Sequence, residues 1–194
     1  SEDFRYWWED VANNKELSPV GPPKIMTIGG ETPVFEVINK YKFRYTWRSP
    51  NPDFLPRLAG ASPLYIYRPA HYMRQFHKKY TAPNILKKIV KRSKQRNWAT
   101  LHNKMDNLYR NDNIDLPVLQ PWVCISKPSA SRLIFKRNPF FHRVDPKGQQ
   151  LPYAGSFVFT IANNKLIPAK TGTGEVDLQA RYLRFDDYTF FYIV

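Results

Sequence analysis

Cysteine is nearly absent from this sequence, because Cys124 is the only one among 194 residues. A single cysteine excludes an internal disulfide and any metal site built from several cysteines. Cys124 lies in the apolar run PWVCI, and we expect it to be a small buried core residue. The histidines lack the i, i+4 pairing of common zinc motifs, so the sequence predicts no metal site; they are His71, His77, His102 and His142.

Long apolar runs are also missing. No stretch approaches the roughly 18 apolar residues that a membrane-spanning helix needs. The chain opens with SEDFRYWWEDV, whereas a signal peptide has a charged start followed by an apolar region. Two expectations follow for the compartment: either the mature form is cytosolic, or a leader is not included in this chain.

The sequence shows no catalytic constellation. Glu9 and Asp10 are adjacent on a predicted helix, where neighbouring side chains point in different directions, so they do not form an acid/base pair. The run TGTGE at 171–175 lacks the Gly-Lys-Ser/Thr end of a phosphate-binding loop. Residues 112–115 lack the glycine and the terminal glutamate of a calcium loop. We therefore predict a protein that is not an enzyme and needs neither a cofactor nor a metal.

What the sequence does contain is typical of a folded chain of mixed α and β structure. Hydrophobic residues make up 42% and aromatic residues 15%, far more than in disordered chains. Helical spacing predicts an N-terminal helix with an aromatic face, a short helix over 54–59 and a helical cluster over 69–110. Sheet returns after residue 118. The predicted class is α+β.

Three extended segments, 24–28, 33–38 and 41–47, predict a small antiparallel meander because Gly-Gly and Asn-Lys separate them. In the third segment aromatic residues alternate with basic ones and threonine. This is the period of a half-buried strand, although platforms for single-stranded nucleic acid show a similar alternation. The one-sided placement of the aromatic residues favours core packing. A further short strand is predicted over 64–67.

The formal net charge of +14 is concentrated at residues 78–96, which carry eight Lys or Arg and no acid. Apolar residues at helical spacing make this stretch a basic amphipathic helix. Three interpretations stay open. The helix could bind a nucleic-acid backbone or an anionic membrane, or it could be only a solvated face.

The most informative stretch covers residues 131–159, where two short apolar strands flank a loop with an aromatic pair and an Asp-Pro-Lys-Gly turn. Several spaced motifs in this region resemble those of the family-5 extracytoplasmic solute-binding proteins, the peptide- and nickel-type receptors of ABC importers. The matching motifs are RNPFF at 137–141, LPY at 151–153, FVFTI at 157–161 and GEVD at 174–177. The start SEDFRYWWEDV is similar to a helix of the same family.

The resemblance implies a non-enzymatic periplasmic receptor that closes two lobes on a solute, most naturally an oligopeptide. Its implied partners are that solute, an ABC permease in the inner membrane and the remainder of the receptor, with nucleic acid not expected. The fold implied is part of a type II periplasmic-binding lobe. Residues 1–117 would form a subdomain of lobe I, and residues 118–194 would return to the main sheet of that lobe. The chain would then be an internal or N-terminal-lobe fragment.

Four residues are candidates for ligand binding. Trp122 and Arg132 flank the approach to the motif-bearing strand, and Tyr65 and Tyr67 lie on a short predicted strand that could reach the cleft. Core packing is the alternative role for each of them. Since one lobe supplies one wall of a cleft, we expect this chain alone to bind ligand weakly or not at all.

Overall fold

The computed structural model describes residues 1–60, 64–110, 112–127 and 131–188. The chain divides into two compact units, Ser1–Val118 and Leu119–Val194. The assignment of residues 1–117 to a lobe-I subdomain, and of 118–194 to the main sheet of that lobe, stays a prediction.

The first unit begins with helix α1 (Glu2–Arg5), which continues directly as a π-helical segment (Tyr6–Ala12). At its end the backbone N–H of Asn13 donates to the carbonyl of Trp8, five residues earlier. Almost the whole segment is buried: Tyr6, Trp7, Trp8, Asp10, Val11 and Ala12. The predicted aromatic face is confirmed, but the π-helical turn also brings Tyr6 and Asp10 inside, which 3.6-residue periodicity does not predict.

Strands β1 (Val34–Asn39) and β2 (Lys42–Thr46) form an antiparallel hairpin in which Phe35 pairs with Tyr45. The predicted aromatic face of β2 packs inward. The ring of Tyr45 meets Trp8 edge-on at 5.3 Å between centroids, and Trp47 donates from its indole nitrogen to the carbonyl of Met26 at 2.8 Å. Core packing, and not a nucleic-acid platform, accounts for Tyr45 and Trp47. The prediction is wrong for Tyr41, which precedes β2 and is 84% exposed.

Two segments predicted as strands are not strands. Residues Lys24–Met26 form a 3-10 helix, and Gly29 and Gly30, both with positive φ, close a tight turn in which Ile28 pairs with Glu31 alone. The turn folds this segment back on itself, so it never reaches β1. Residues 64–67, the second of these segments, belong to neither a helix nor a sheet.

The remaining helices of the first unit are α2 (Phe54–Ala59), α3 (Ala70–Met73), α4 (Pro83–Arg92) and α5 (Trp98–Met105), with a 3-10 turn over Arg74–Phe76. Asn97 caps α5, because its side chain accepts from the backbone of Thr100 while Thr100 bonds back to Asn97. These helices close one core. Its largest fully buried side chains are Tyr6, Met26, Met73, Leu101, His77 and His102.

The second unit contains a three-stranded antiparallel sheet in the order β3 (Trp122–Cys124), β4 (Arg132–Arg137) and β5 (Ser156–Thr160). Phe135 pairs with both Cys124 and Phe157, so the strands predicted around the motif stretch are confirmed. Helix α6 (Ile167–Gly172) follows, between 3-10 turns at Asn164–Leu166 and Phe185–Asp187.

Hydrogen bonds rather than aromatic rings hold the loop between β4 and β5. Asn138 is buried and bonds to the carbonyl of Gln120 at 3.0 Å and to the backbone N–H of Phe140 at 3.0 Å. Asp145 closes the predicted turn by accepting from two backbone N–H groups. Phe140 is 85% exposed, so the expected aromatic anchor is wrong for this ring. Cys124 is half-buried rather than fully buried, because both sides of its sheet are partly open.

Within the parts of the chain that the structure covers, no helix is both long and apolar enough to span a bilayer.

A leucine pair tests where the core of the first unit lies. Leu101 is fully buried and Leu55 is 70% exposed, although both lie on helices. We expect Leu101→Ala to lower the free energy of unfolding by about 2–5 kcal/mol, because it leaves a cavity. Leu55→Ala should change it by less than about 0.5 kcal/mol. Urea denaturation followed by circular dichroism measures both, and equal losses would contradict this placement of the core.

Candidate functional site

A segment of the first unit that belongs to neither a helix nor a strand, residues 64–69, carries the predicted site residues Tyr65 and Tyr67. Two of its carbonyl groups bond to the side chain of Arg68. The guanidinium of Arg68 donates to the carbonyl oxygens of Tyr67 at 2.7 Å and Tyr65 at 3.3 Å, and its Nε donates to Asp106 at 2.5 Å. One arginine therefore fixes the path of the segment and the positions of both tyrosines.

Tyr65 and Tyr67 belong to a longer series of half-buried rings. Tyr65 lies 6.2 Å from Tyr67, Tyr67 lies 5.7 Å from Phe4, and Phe4 stacks on Phe43 at 4.0 Å between ring centroids. We call these four residues the aromatic row. Burial raises the pKa of the Tyr67 hydroxyl above its usual value, with a smaller contribution from Tyr65. The row offers a stiff, partly exposed apolar surface with two hydroxyl groups.

The aromatic row is attached to helix α1 through Asp3. The carbonyl oxygen of Asp3 accepts from the backbone N–H of Arg68 at 3.1 Å, and its carboxylate accepts from the N–H of Ala70 at 2.9 Å. Ala70 is the first residue of α3, so this carboxylate satisfies an otherwise unpaired donor at the helix start. The same residue thus fixes the row and the helix behind it.

The first unit also contains a buried carboxylate, Asp10, which is only 4% exposed. It accepts hydrogen bonds from Lys79 at 2.7 Å, from the hydroxyl of Tyr80 at 2.5 Å and from Arg5 at 3.1 Å. A buried charge is costly unless it is paired and hydrogen-bonded, and here two cations and a hydroxyl meet that requirement. The group joins the π-helical segment to the loop before α4.

Two buried histidines lie next to this group, His77 through the backbone carbonyl of Asp10 and His102 through the rings of His77 and Tyr6. The Nδ1 atom of His77 accepts from the backbone N–H of Lys79 at 3.1 Å, so its Nε2 carries the proton and donates to the carbonyl of Asp10, also at 3.1 Å. His102 is fully buried, with its Nε2 2.7 Å from the hydroxyl of Tyr6. Both rings are held in their neutral form by these surroundings.

The pKa shifts follow from burial and from the partners. Burial lowers the pKa of His102 to about 3 and lowers that of His77 as well. Burial would raise the pKa of Asp10, but the hydrogen bonds from Lys79 and Tyr80 and the charge of Arg5 hold it below its usual value. These groups therefore keep fixed charges near neutral pH. Their arrangement suits structural support better than proton transfer.

In the second unit the two predicted site residues do not meet. Trp122 pairs with Arg137 at one end of β4, whereas Arg132 pairs with Thr160 five residues away, about 17 Å along the strand. The pairing register also places them on opposite faces of the sheet, because side chains alternate. Trp122 donates from its indole nitrogen to the carbonyl of Ala154 at 3.3 Å, and Arg132 is exposed.

Sequence reasoning identified half of the aromatic row. The spacing of the N-terminal helix and the alternation of the third extended segment predict core-facing rings at Phe4 and Phe43; both are half-buried, with Phe4 between Tyr67 and Phe43. Nothing in the sequence indicates that Arg68 fixes the row. Its partners are the carbonyl groups of Tyr65 and Tyr67 and the carboxylate of Asp106, which follows the last residue of α5. Among the described residues no group of three or more His, Cys, Asp or Glu side chains could hold a metal.

The known proteins to which this chain is similar are all named as binding proteins. No family model matches the chain. The curated periplasmic alpha-galactoside-binding protein of Rhizobium meliloti (strain 1021) is 23% identical over 181 residues, covering 91% of this chain and 23% of that protein.

Two solved structures also match. An oligopeptide-binding protein, OppA, superposes with a TM-score of 0.82 and 29% identity, over 98% of this chain and 30% of that one. The periplasmic binding protein MelB of Agrobacterium fabrum C58, in complex with stachyose, gives a TM-score of 0.63 and 23% identity over 91% of this chain and 24% of that one. The chain thus spans between about a quarter and a third of the length of these proteins.

The buried histidine predicts how stability depends on pH. An unfolded histidine has a pKa of about 6.5, whereas that of folded His102 is about 3, so the unfolded chain takes up a proton first as the pH falls. The stability present above pH 6.5 is therefore lost on acidification. Between pH 7 and pH 5 the contribution of His102 falls by about 2 kcal/mol.

Comparison of variants isolates this contribution. Urea denaturation at both pH values should show a smaller pH dependence for His102→Gln than for the unaltered chain. The exposed control His71→Gln should not differ from the unaltered chain. Direct NMR titration of the His102 ring checks the same point without a variant, and a ring that becomes protonated between pH 7 and pH 5 would contradict it.

Proposed function

Because this chain has the fold of a segment of the family-5 solute-binding proteins, as its motifs predicted, we propose that it forms part of a periplasmic receptor for an oligopeptide. The proposal is carried by the superposition on an oligopeptide-binding protein over 98% of the chain. In this role the receptor changes no bond of its solute and delivers it to an ABC permease in the inner membrane. The aromatic row is the proposed contact surface in the first unit.

An extended peptide suits the second unit because of its strand edges. The order β3, β4, β5 leaves β3 and β5 as the outer strands among the described residues. An outer strand presents backbone N–H and C=O groups that can pair with a peptide, while alternate side chains enter pockets. Trp122, on β3, is well placed to contact such a peptide. Arg132 is a second proposed contact, for a carboxylate, but it lies on the central strand β4 and on the opposite face from Trp122, so one peptide along β3 would not contact both.

An oligosaccharide is the second candidate solute. Two of the relatives are named for an alpha-galactoside and for a complex with stachyose, and their identities are close to that of the oligopeptide-binding protein. The aromatic row supports this candidate too, since the apolar faces of sugar rings stack on aromatic side chains. The strand edges distinguish the two solutes, because only a peptide would pair with the backbone of β3 or β5 as an added strand.

The remainder of the receptor is a further proposed partner, and the sheet of the second unit is where it would pack. Apolar side chains are about half exposed on both faces of this sheet: Ile134, Phe157, Val158 and Phe159 lie between 40% and 52% exposed. Contiguous apolar surface of this kind is typical of interfaces. The first unit, in contrast, has a closed core of its own.

We expect the isolated chain to bind solute only weakly, with a dissociation constant on the order of 1 mM, since it would supply one wall of a cleft. Titration of the ¹⁵N-labelled chain with a mixed oligopeptide pool, and separately with stachyose, measures this by NMR. Peptide-specific shifts in β3 or β5 would support the peptide. Shifts caused by stachyose alone would favour the sugar, and micromolar binding of either would contradict the one-wall interpretation.

Removing one ring of the aromatic row tests whether the row makes contact. Tyr67→Ala should weaken the binding of the preferred solute by about tenfold, because it opens a gap in the middle of the row. Tyr109→Ala is a matched control, since that tyrosine is 84% exposed and belongs to none of the ring pairs of the row. Equal affinities of the two variants would remove the row from the binding site.

A further inference from the structure

The basic stretch 78–96 separates into two parts in the structure. Lys78 pairs with Glu16, and Lys79 pairs with the buried Asp10 at 2.7 Å, so these two cations serve the core of the first unit. The other six are exposed and form no ion pair within the described part of the chain: Lys87, Lys88, Lys91, Arg92, Lys94 and Arg96. Their charge is therefore available to a partner.

Helix α4 gathers four of these cations on one side. Leu86 is buried and Ile89 and Val90 are half-buried, which fixes the face of the helix that meets the core. At 100° per residue, Lys87, Lys88, Lys91 and Arg92 fall on the opposite side, next to the exposed Ile85. We call these four residues the cationic face. No acid lies between residues 78 and 96 to neutralise it.

A shallow groove of about 310 Å³ lies between α4 and the start of α5, and Lys87 of the cationic face belongs to its lining. The side chains of Pro83, Leu86, Val90 and Trp98 form the apolar part of this lining, which we call the apolar floor, and Lys78, Lys87 and Arg96 form its cationic part. Glu16 accepts from the Trp98 indole N–H at 2.6 Å, and its carboxylate is also paired with Lys78. The groove thus combines apolar surface with uncompensated positive charge.

We propose that the cationic face and this groove dock the protein on an anionic lipid surface. Charge complementarity favours lipid phosphates, and the apolar floor suits the carbon atoms next to a phosphate headgroup. A nucleic-acid backbone would use the cations but not the apolar floor, and platforms for single strands carry successive aromatic rings, whereas Trp98 is the one aromatic residue in the lining of this groove. The apolar face of α4 stays in the core, so the contact is peripheral and electrostatic. The proposal does not depend on the identity of the solute.

Co-sedimentation with vesicles tests the proposal on the full chain. We expect binding to vesicles containing about 30% phosphatidylglycerol at low salt, a steep loss of binding near 0.5 M salt, and no binding to pure phosphatidylcholine. Replacing the cationic face by Lys87→Gln, Lys88→Gln, Lys91→Gln and Arg92→Gln should lower the partition coefficient at least about tenfold, since each cation near the surface contributes about fivefold. Glutamine keeps the helix propensity of α4, and circular dichroism checks the fold.

A matched control removes the same amount of charge elsewhere, at exposed lysines: Lys24→Gln, Lys42→Gln, Lys147→Gln and Lys165→Gln. It should retain most of the binding. An equal loss in both variants would reduce the effect to net charge and overturn the assignment to α4. Absence of binding to anionic vesicles would overturn the proposal, as would tighter binding to duplex DNA than to vesicles at the same salt, which would assign the face to nucleic acid.

Discussion

The buried carboxylate of Asp10 is the interaction on which the first unit depends. It is carried inward by the π-helical segment and is held there by three donors from two places in the chain, Arg5 on α1 and the adjacent Lys79 and Tyr80. Removing one partner of a buried charge typically costs about 3–5 kcal/mol, because the remaining charge is left without compensation. The helix start and the loop before α4 are therefore fixed relative to each other by one ionised group. The rings of Tyr6, His77 and His102 pack on one another in the same core.

Arg68 is a second charged side chain that holds several parts of the chain together, because its guanidinium bonds to two carbonyl groups of its own segment and to Asp106. Burial raises the pKa of Asp106, and the charge of Arg68 opposes that change, so the pair is coupled. Together Asp3 and Arg68 explain how a segment outside the sheets can hold Tyr65 and Tyr67, because Asp3 accepts from the backbone N–H groups of Arg68 and Ala70. The aromatic row is thus positioned by these two charged residues and not by a strand ladder.

Sequence reasoning succeeded where a single local pattern decides the structure. Alternation predicted β2, helical spacing predicted the helices between residues 69 and 110, and apolar runs predicted β4 and β5. It failed where a turn or a side-chain partner decides the path of the chain. The positive φ angles of Gly29 and Gly30 fold residues 24–28 back, so they form no strand beside β1. At 64–67 the guanidinium of Arg68, and not a neighbouring strand, bonds to the backbone carbonyl of Tyr67. Tyr6 and Asp10 were missed because a π-helical turn changes the periodicity on which the prediction relies. The family resemblance, in contrast, rested on spaced motifs and needed no such detail.

The two units differ in how their apolar surface is covered, and this difference bears on function. The first unit buries more than a dozen apolar side chains in one cluster, whereas among the described residues of the second unit Leu133 is the one large apolar residue that is almost fully buried. A sheet that leaves Phe157 and Phe159 about half exposed gains little from burial, at about 25 cal/mol for each Å² of apolar surface. Because about half of the surface of these rings is still exposed, a partner that covers the sheet would stabilise it by burying that surface. Binding of the proposed solute to the sheet and binding of that partner would then be coupled.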